Sequence, residues 1–209
     1  EGHGRVASVH VLRELGILPC TTLAQAEARL ANERLAFVPT SIFSPGLAAQ
    51  LSARNRLGVR NSAHTLVKLI DPFGGLGLRL ISVSHPEYHA LLSEFLVATG
   101  GNALLLRGTE GEPYANPMRR PELLYFEDGA PRVLFEAESG PIKNLPALPD
   151  TCDAVSTAAW IKRVLAREVP APLPLVNQLA CCLYASGYSQ DFNQAKAIAA
   201  VETGSLSAA

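Results

Sequence analysis

Two short apolar runs on either side of a helical pattern constrain this chain more than any other feature. Leu78 to Val83 is apolar and rich in β-forming residues, and Ala103 to Leu106 is a four-residue apolar run. Between them, Pro86 to Thr99 repeats apolar residues at helical spacing, with Leu91, Leu92, Phe95 and Leu96 expected to face inward. Continuous apolar strands joined through a helix pair in parallel and are covered on both faces. Leu123 to Phe126 and Val133 to Phe135, joined across Glu127-Asp128-Gly129, add an antiparallel hairpin. The fold class expected is α/β, a mixed, mainly parallel sheet flanked by helices.

The remainder reads as helix. Val9 to Leu18 is a short helix that Gly16 can stop, and Thr22 heads a second with Gln25 as its capping partner. Leu35-Ala36-Phe37-Val38, ended by Pro39, reads as a buried strand. Ser44-Pro45 opens a helix to about Leu57, Gly58 interrupts it, and Ser62 to Ile70 resumes the spacing until Asp71-Pro72-Phe73-Gly74-Gly75 stops it. A proline-rich linker is expected near 140–150, and three helical segments fill 151–209: Asp153 to Arg167, Leu173 to Ser186 and Phe192 to Thr203. With 209 residues, about 70% of the unfolded surface can be buried. Apolar residues at 48% against 18% charged exclude a disordered chain. No apolar run is long enough for a membrane-spanning helix, so no membrane partner and a cytoplasmic location are expected. Four cysteines without metal-ligand spacing read as reduced core thiols of a cytosolic protein.

The net charge of −1 conceals a polarised distribution. From Arg34 to Ile70 there is no acid, while Arg34, Arg54, Arg56, Arg60 and Lys68 carry positive charge. Between Glu122 and Glu138 the balance reverses, with Arg132 the one cation. The basic span reads either as a solvated face or as an anion site. Arg54, Arg56 and Arg60 flank Gly58, where backbone can approach a ligand closely, and Asn61, Ser62, His64 and Thr65 add neutral donors. Ser62 is placed to cap the following helix, whose N-terminus would attract phosphate. These features do not separate a sugar phosphate from a nucleic-acid backbone.

No dinucleotide fingerprint, phosphate-binding loop of the G-x-x-x-x-G-K type or nucleophile elbow is present. His85 and His89 lie four apart, but no third ligand is evident, so no metal site is assigned. Glu110 and Glu112 follow the apolar run ending near Leu106, where α/β folds place ligands, although an ordinary loop accounts for them better.

At Arg54-x-x-Leu57-Gly58-Val59-Arg60 the chain resembles the anthranilate phosphoribosyltransferases, glycosyltransferase family 3, which have a nucleoside-phosphorylase-like fold. Phe37-Val38-Pro39 with Ser44-Pro45, Asp71-Pro72-Phe73, Val83-Ser84-His85-Pro86-Glu87, Leu106-Arg107-Gly108 and Asn177 to Ala185 match further family segments in order. Arg54 stands where the family arginine contacts the aromatic acceptor. The resemblance implies one domain over 1–209, the later part of a longer protein with most of the N-terminal helical domain and the Gly-rich pyrophosphate loop upstream. Lack of an initiator methionine agrees with that expectation.

The departures matter as much. His3-Gly4-Arg5-Val6-Ala7-Ser8-Val9-His10 stands where the family has a hydroxyl-rich phosphate motif. Glu112-Pro113-Tyr114 stands where the family has the Asp-Glu pair that holds magnesium. Leu57 to Leu66 and Arg107 to Pro117 are similar instead to a branch of paralogues that lack anthranilate transferase activity and bind nucleic acid non-specifically as homodimers. That resemblance implies phosphate contacts from Arg54, Arg56, Arg60 and Lys68, with His64 and Arg107 in the same cleft. It implies no cofactor, a single-stranded or unspecific nucleic-acid partner and a homodimer at full length. The alternative is an active enzyme that moves phosphoribose from phosphoribosyl pyrophosphate to an aromatic amine, with magnesium as its metal.

Overall fold

The computed structural model describes residues 6–108, 113, 116, 120–140 and 148–204. The chain forms two compact units, Glu1–Pro72 with Pro149–Lys162, and Phe73–Leu148 with Arg163–Ala209.

The first unit is helical: α1 (Ser8–Glu14), α2 (Leu23–Glu33), α3 (Thr40–Phe43), α4 (Pro45–Ser52), α5 (Arg54–Leu57), α6 (Ala63–Leu66), a 3₁₀ turn (Val67–Leu69) and the start of α8 (Ala154–Leu165). Thr22 caps α2 by accepting from the Gln25 amide at 3.1 Å, while Gln25 Oε1 accepts from the Thr21 amide at 2.7 Å. The reciprocal bond therefore lands one residue earlier than in a regular capping box. Arg34 ends α2 in the left-handed region, at φ 58°. The buried side chains are small, Cys20, Ala26, Ala63 and Ala158, which lets the backbones approach closely. Lys162 Nζ on α8 donates to the Glu14 carbonyl of α1 at 3.2 Å.

Several expectations for this unit are corrected. Leu35-Ala36-Phe37-Val38 does not form a strand: one bridge remains, in which the Cys20 amide donates to the Phe37 carbonyl at 2.8 Å, and Leu35 is exposed. A run of four residues without a neighbouring ladder has too few partners to extend. The expected helix from Ser44 to Leu57 breaks at Ala53 into α4 and α5. The first helix ends at Glu14.

The second unit carries β1 (Arg79–Val83), α7 (Pro86–Thr99), β2 (Ala103–Arg107), β3 (Leu123–Glu127), β4 (Ala130–Phe135), α9 (Leu173–Ala185) and α10 (Phe192–Glu202). The sheet is mixed, in the order β1-β2-β3-β4. β1 and β2 pair in parallel through the α7 crossover, and the β2–β3 and β3–β4 pairs are antiparallel. Alternation along the strands fills both faces. Leu104, Leu106, Leu123 and Tyr125 pack with Cys181 and Ala185 of α9, and the opposite face takes Ala103, Leu105 and Phe126. On α7, Leu92 and Leu96 are buried, whereas the expected inward residues Leu91 and Phe95 are exposed, so its covered stripe is narrower than the sequence suggested. The hairpin forms as expected, with Asp128 at φ 48° and Gly129 at φ 81° making the two-residue turn. Most of the expected linker, residues 141–147, lies outside the described residues.

Candidate functional site

The basic stretch belongs to the first unit. Proline at N1 starts α4, the one-turn α5 follows Ala53, and Gly58 at φ 72° reverses the chain where a side chain would be strained. Asn61 then fixes the entry to α6. Its Nδ2 donates to the Gln50 carbonyl of α4 at 2.7 Å, and its Oδ1 accepts from the Ala63 amide at 3.1 Å. Asn61 therefore performs the capping expected of Ser62, whose side chain makes no capping bond. Because α6 is a single turn, its N-terminus has too small a dipole to hold phosphate by itself.

Arg54, Arg56 and Arg60 are exposed, as is every residue from Arg54 to Arg60. Among the described residues, none of the ion pairs involves their guanidinium groups. His64 is half-buried, with Nδ1 3.1 Å from Asn61 Oδ1 and 3.2 Å from the Asn61 carbonyl. That nitrogen is occupied within the turn, which leaves Nε2 for an outside group. Lys68 is half-buried in the 3₁₀ turn and already engaged by a neighbour, so it is less available than the arginines.

Arg107 lies in the other unit, at the end of β2. Its Nε donates to the Ser84 carbonyl at 3.2 Å, tying together the ends of β2 and β1. Nearby, desolvation lowers the pKa of half-buried His89; Glu122 opposes that shift and Arg107 adds to it. His85 precedes α7 and sets its ring 6.3 Å from Tyr88. Among the described residues there is no group of three or more His, Cys, Asp or Glu that could hold a metal. Glu110 and Glu112 lie outside the described residues, as does the stretch from Glu1 to Arg5. Cys20 and Cys181 are buried as expected, Cys182 is partly so, and Cys152 is exposed, contrary to a core role. The cavity beside Arg120, Phe135 and Asn177 has a volume of about 10 Å³, room for one water.

The sequence singled out the cations but not their surroundings. It did not reveal the exposure of Leu57 and Val59 between the arginines, because apolar residues carry no signal of which side they face when a helix lasts one turn. Asn61 appeared only as a neutral donor. Its spacing of two from Ala63, before a helical pattern, is the Asx-turn signal that identifies its role.

No protein-family model matches the chain. It is 46% identical over 184 residues to the uncharacterized protein YbiB of Escherichia coli K12, covering 88% of this chain and 57% of that protein. It is 27% identical over 229 residues to the anthranilate phosphoribosyltransferase of Methanosphaerula palustris, covering 99% of this chain and 61% of that enzyme. A third similarity, 27% over 150 residues, is to the anthranilate phosphoribosyltransferase of Desulfitobacterium hafniense DCB-2, covering 70% of this chain and 44% of that enzyme. The chain thus spans about three-fifths of the length of the first two of these relatives. Among the described residues, no helix is long and apolar enough to cross a membrane. These similarities relate the chain, at a distance, to the anthranilate phosphoribosyltransferases.

Proposed function

We propose that this protein is an anthranilate phosphoribosyltransferase relative that binds nucleic acid without sequence preference and lacks anthranilate transferase activity. The observation that carries this reading is the exposure of Arg54, Arg56 and Arg60 with no ion pair among the described residues, inside a span from Arg34 to Ile70 that contains no acid. Guanidinium forks held this way pair with phosphate oxygens and release counterions, which gives binding that depends on salt and ignores sequence. His64 and Lys68 assist from the same unit, Arg107 is a further phosphate contact, and the whole protein acts in the cytoplasm as a homodimer.

The loss of activity is supported by the donor set. Pro113 stands in place of one metal-binding acid; its side chain has no ligand atom, and its carbonyl accepts from Gln178 Nε2 at 2.9 Å. A proline there does not fit magnesium, which needs oxygen ligands alongside the substrate phosphates. The second reading, transfer of phosphoribose to an aromatic amine, is favoured by the names of the distant relatives.

Titration with a fluorescent single-stranded oligonucleotide at two salt concentrations, with phosphoribosyl pyrophosphate as competitor, separates the two. Salt-sensitive binding that ignores the competitor supports the nucleic-acid reading. Weak oligonucleotide binding with magnesium-dependent uptake of phosphoribosyl pyrophosphate refutes it.

A further inference from the structure

Exposed aliphatic side chains stand between the cations of the candidate site. Leu57 and Val59 are each 63% exposed and flank Gly58, between Arg56 and Arg60. A side chain added at Gly58 would meet nothing within 4 Å, so the space above this ledge is open. Arg56 and Arg60 bracket the two aliphatic residues along the chain. An interfacial membrane helix needs a length that the one-turn α5 does not have.

A ligand that satisfies both kinds of group must present negative charges at intervals with flat apolar surface between them. An unpaired nucleotide strand does so, because its bases are free to turn their faces outward. A duplex offers its phosphates but keeps its base faces stacked inside, leaving the aliphatic ledge without a partner. We propose that Leu57 and Val59 contact unstacked bases, so that this surface selects single-stranded over duplex nucleic acid. The inference rests on the nucleic-acid reading of the arginines.

The test is the charge-preserving double variant Leu57→Gln with Val59→Thr. Both positions are exposed, and an unchanged circular dichroism melt shows that the fold is retained. Binding of an oligothymidylate of about 15 nucleotides and of a duplex of equal length is measured by anisotropy across a salt series. The expected result is about a tenfold loss for the single strand, with the salt slope unchanged and a duplex affinity within about twofold of the parent. Equal losses on both ligands, or no loss on the single strand, overturns the role of the ledge while leaving the arginine reading intact. Failure of the parent protein to bind either nucleic acid overturns both. A third arm uses vesicles of phosphatidylcholine with phosphatidylserine. Vesicle binding that requires Leu57 and Val59 while oligonucleotide binding does not overturns the proposal in favour of a membrane surface.

Discussion

Replacing Arg54, Arg56 and Arg60 together with Ala gives the sharpest test of the proposed interface. All three side chains are exposed, and none belongs to an ion pair of the described residues, so the change opens no cavity and strands no buried charge. Each phosphate contact on a single strand contributes about 0.7 to the slope of log affinity against log salt, so three contribute about 2. Raising salt from ~50 to ~200 mM therefore weakens the parent about 20-fold through these contacts alone. If counterion release is their whole contribution, the triple variant binds about 500-fold more weakly near ~50 mM, and the two proteins converge as salt approaches ~1 M. The assay is anisotropy of a labelled single strand at five or so salt concentrations, with a thermal melt to confirm folding. Parallel but displaced lines for the two proteins would show that the arginines act on the fold and not on phosphate. Superimposed lines would remove them from the interface.

Gly129→Ala should cost about 2–4 kcal/mol in urea unfolding, because φ is +81° and the new Cβ would lie 3.1 Å from the Leu96 and Val97 carbonyls. Gly187→Ala, at φ +76° with its nearest group 4.0 Å away, should cost only about 1–2 kcal/mol, and equal losses at the two sites would discount the α7 contact. Asp153 is held down to about 2 mainly by the Ser156 amide, which donates to Oδ1 at 2.7 Å, with side-chain bonds from Thr151 and Ser156 adding to it. Its folded pKa lies below its free value, so stability is full above about pH 4 and declines as pH falls towards 2; an acid titration of Asp153→Asn should lose this dependence. Burial pushes the Cys181 thiol up, and Cys182 adds to the shift. Cys152 should therefore react promptly with a thiol reagent, whereas Cys181 should react only on unfolding, as mass spectrometry of the labelled protein can check.

The second unit was far more legible in the sequence than the first. Pro86 and Gly100 punctuate α7 so strongly that its limits follow from residue types, and Asp128-Gly129 dictates the hairpin turn. In the first unit α3, α5 and α6 are single turns, and period cannot be read over four residues. There, tertiary bonds decide the structure: Asn61 to Gln50 spans eleven residues, and the Phe37 bridge reaches back to Cys20. The cations of the candidate site were visible because charge needs no structure to be counted. That Arg107 ends a strand of the second unit, while Arg54 and Arg56 sit on a one-turn helix and Arg60 in the loop after it, depends on topology that no local pattern encodes.

The mixed pairing of the sheet also sets an order of assembly. β3 and β4 meet across two residues, so their ladder closes at small entropic cost and on a microsecond scale. β1 must wait for the entire α7 crossover before it finds β2. The hairpin is therefore the natural nucleus, and the parallel pair is the late event. Substitutions in the Asp128-Gly129 turn should slow refolding, whereas truncations of Ile81 or Val83 should leave refolding nearly unchanged and accelerate unfolding.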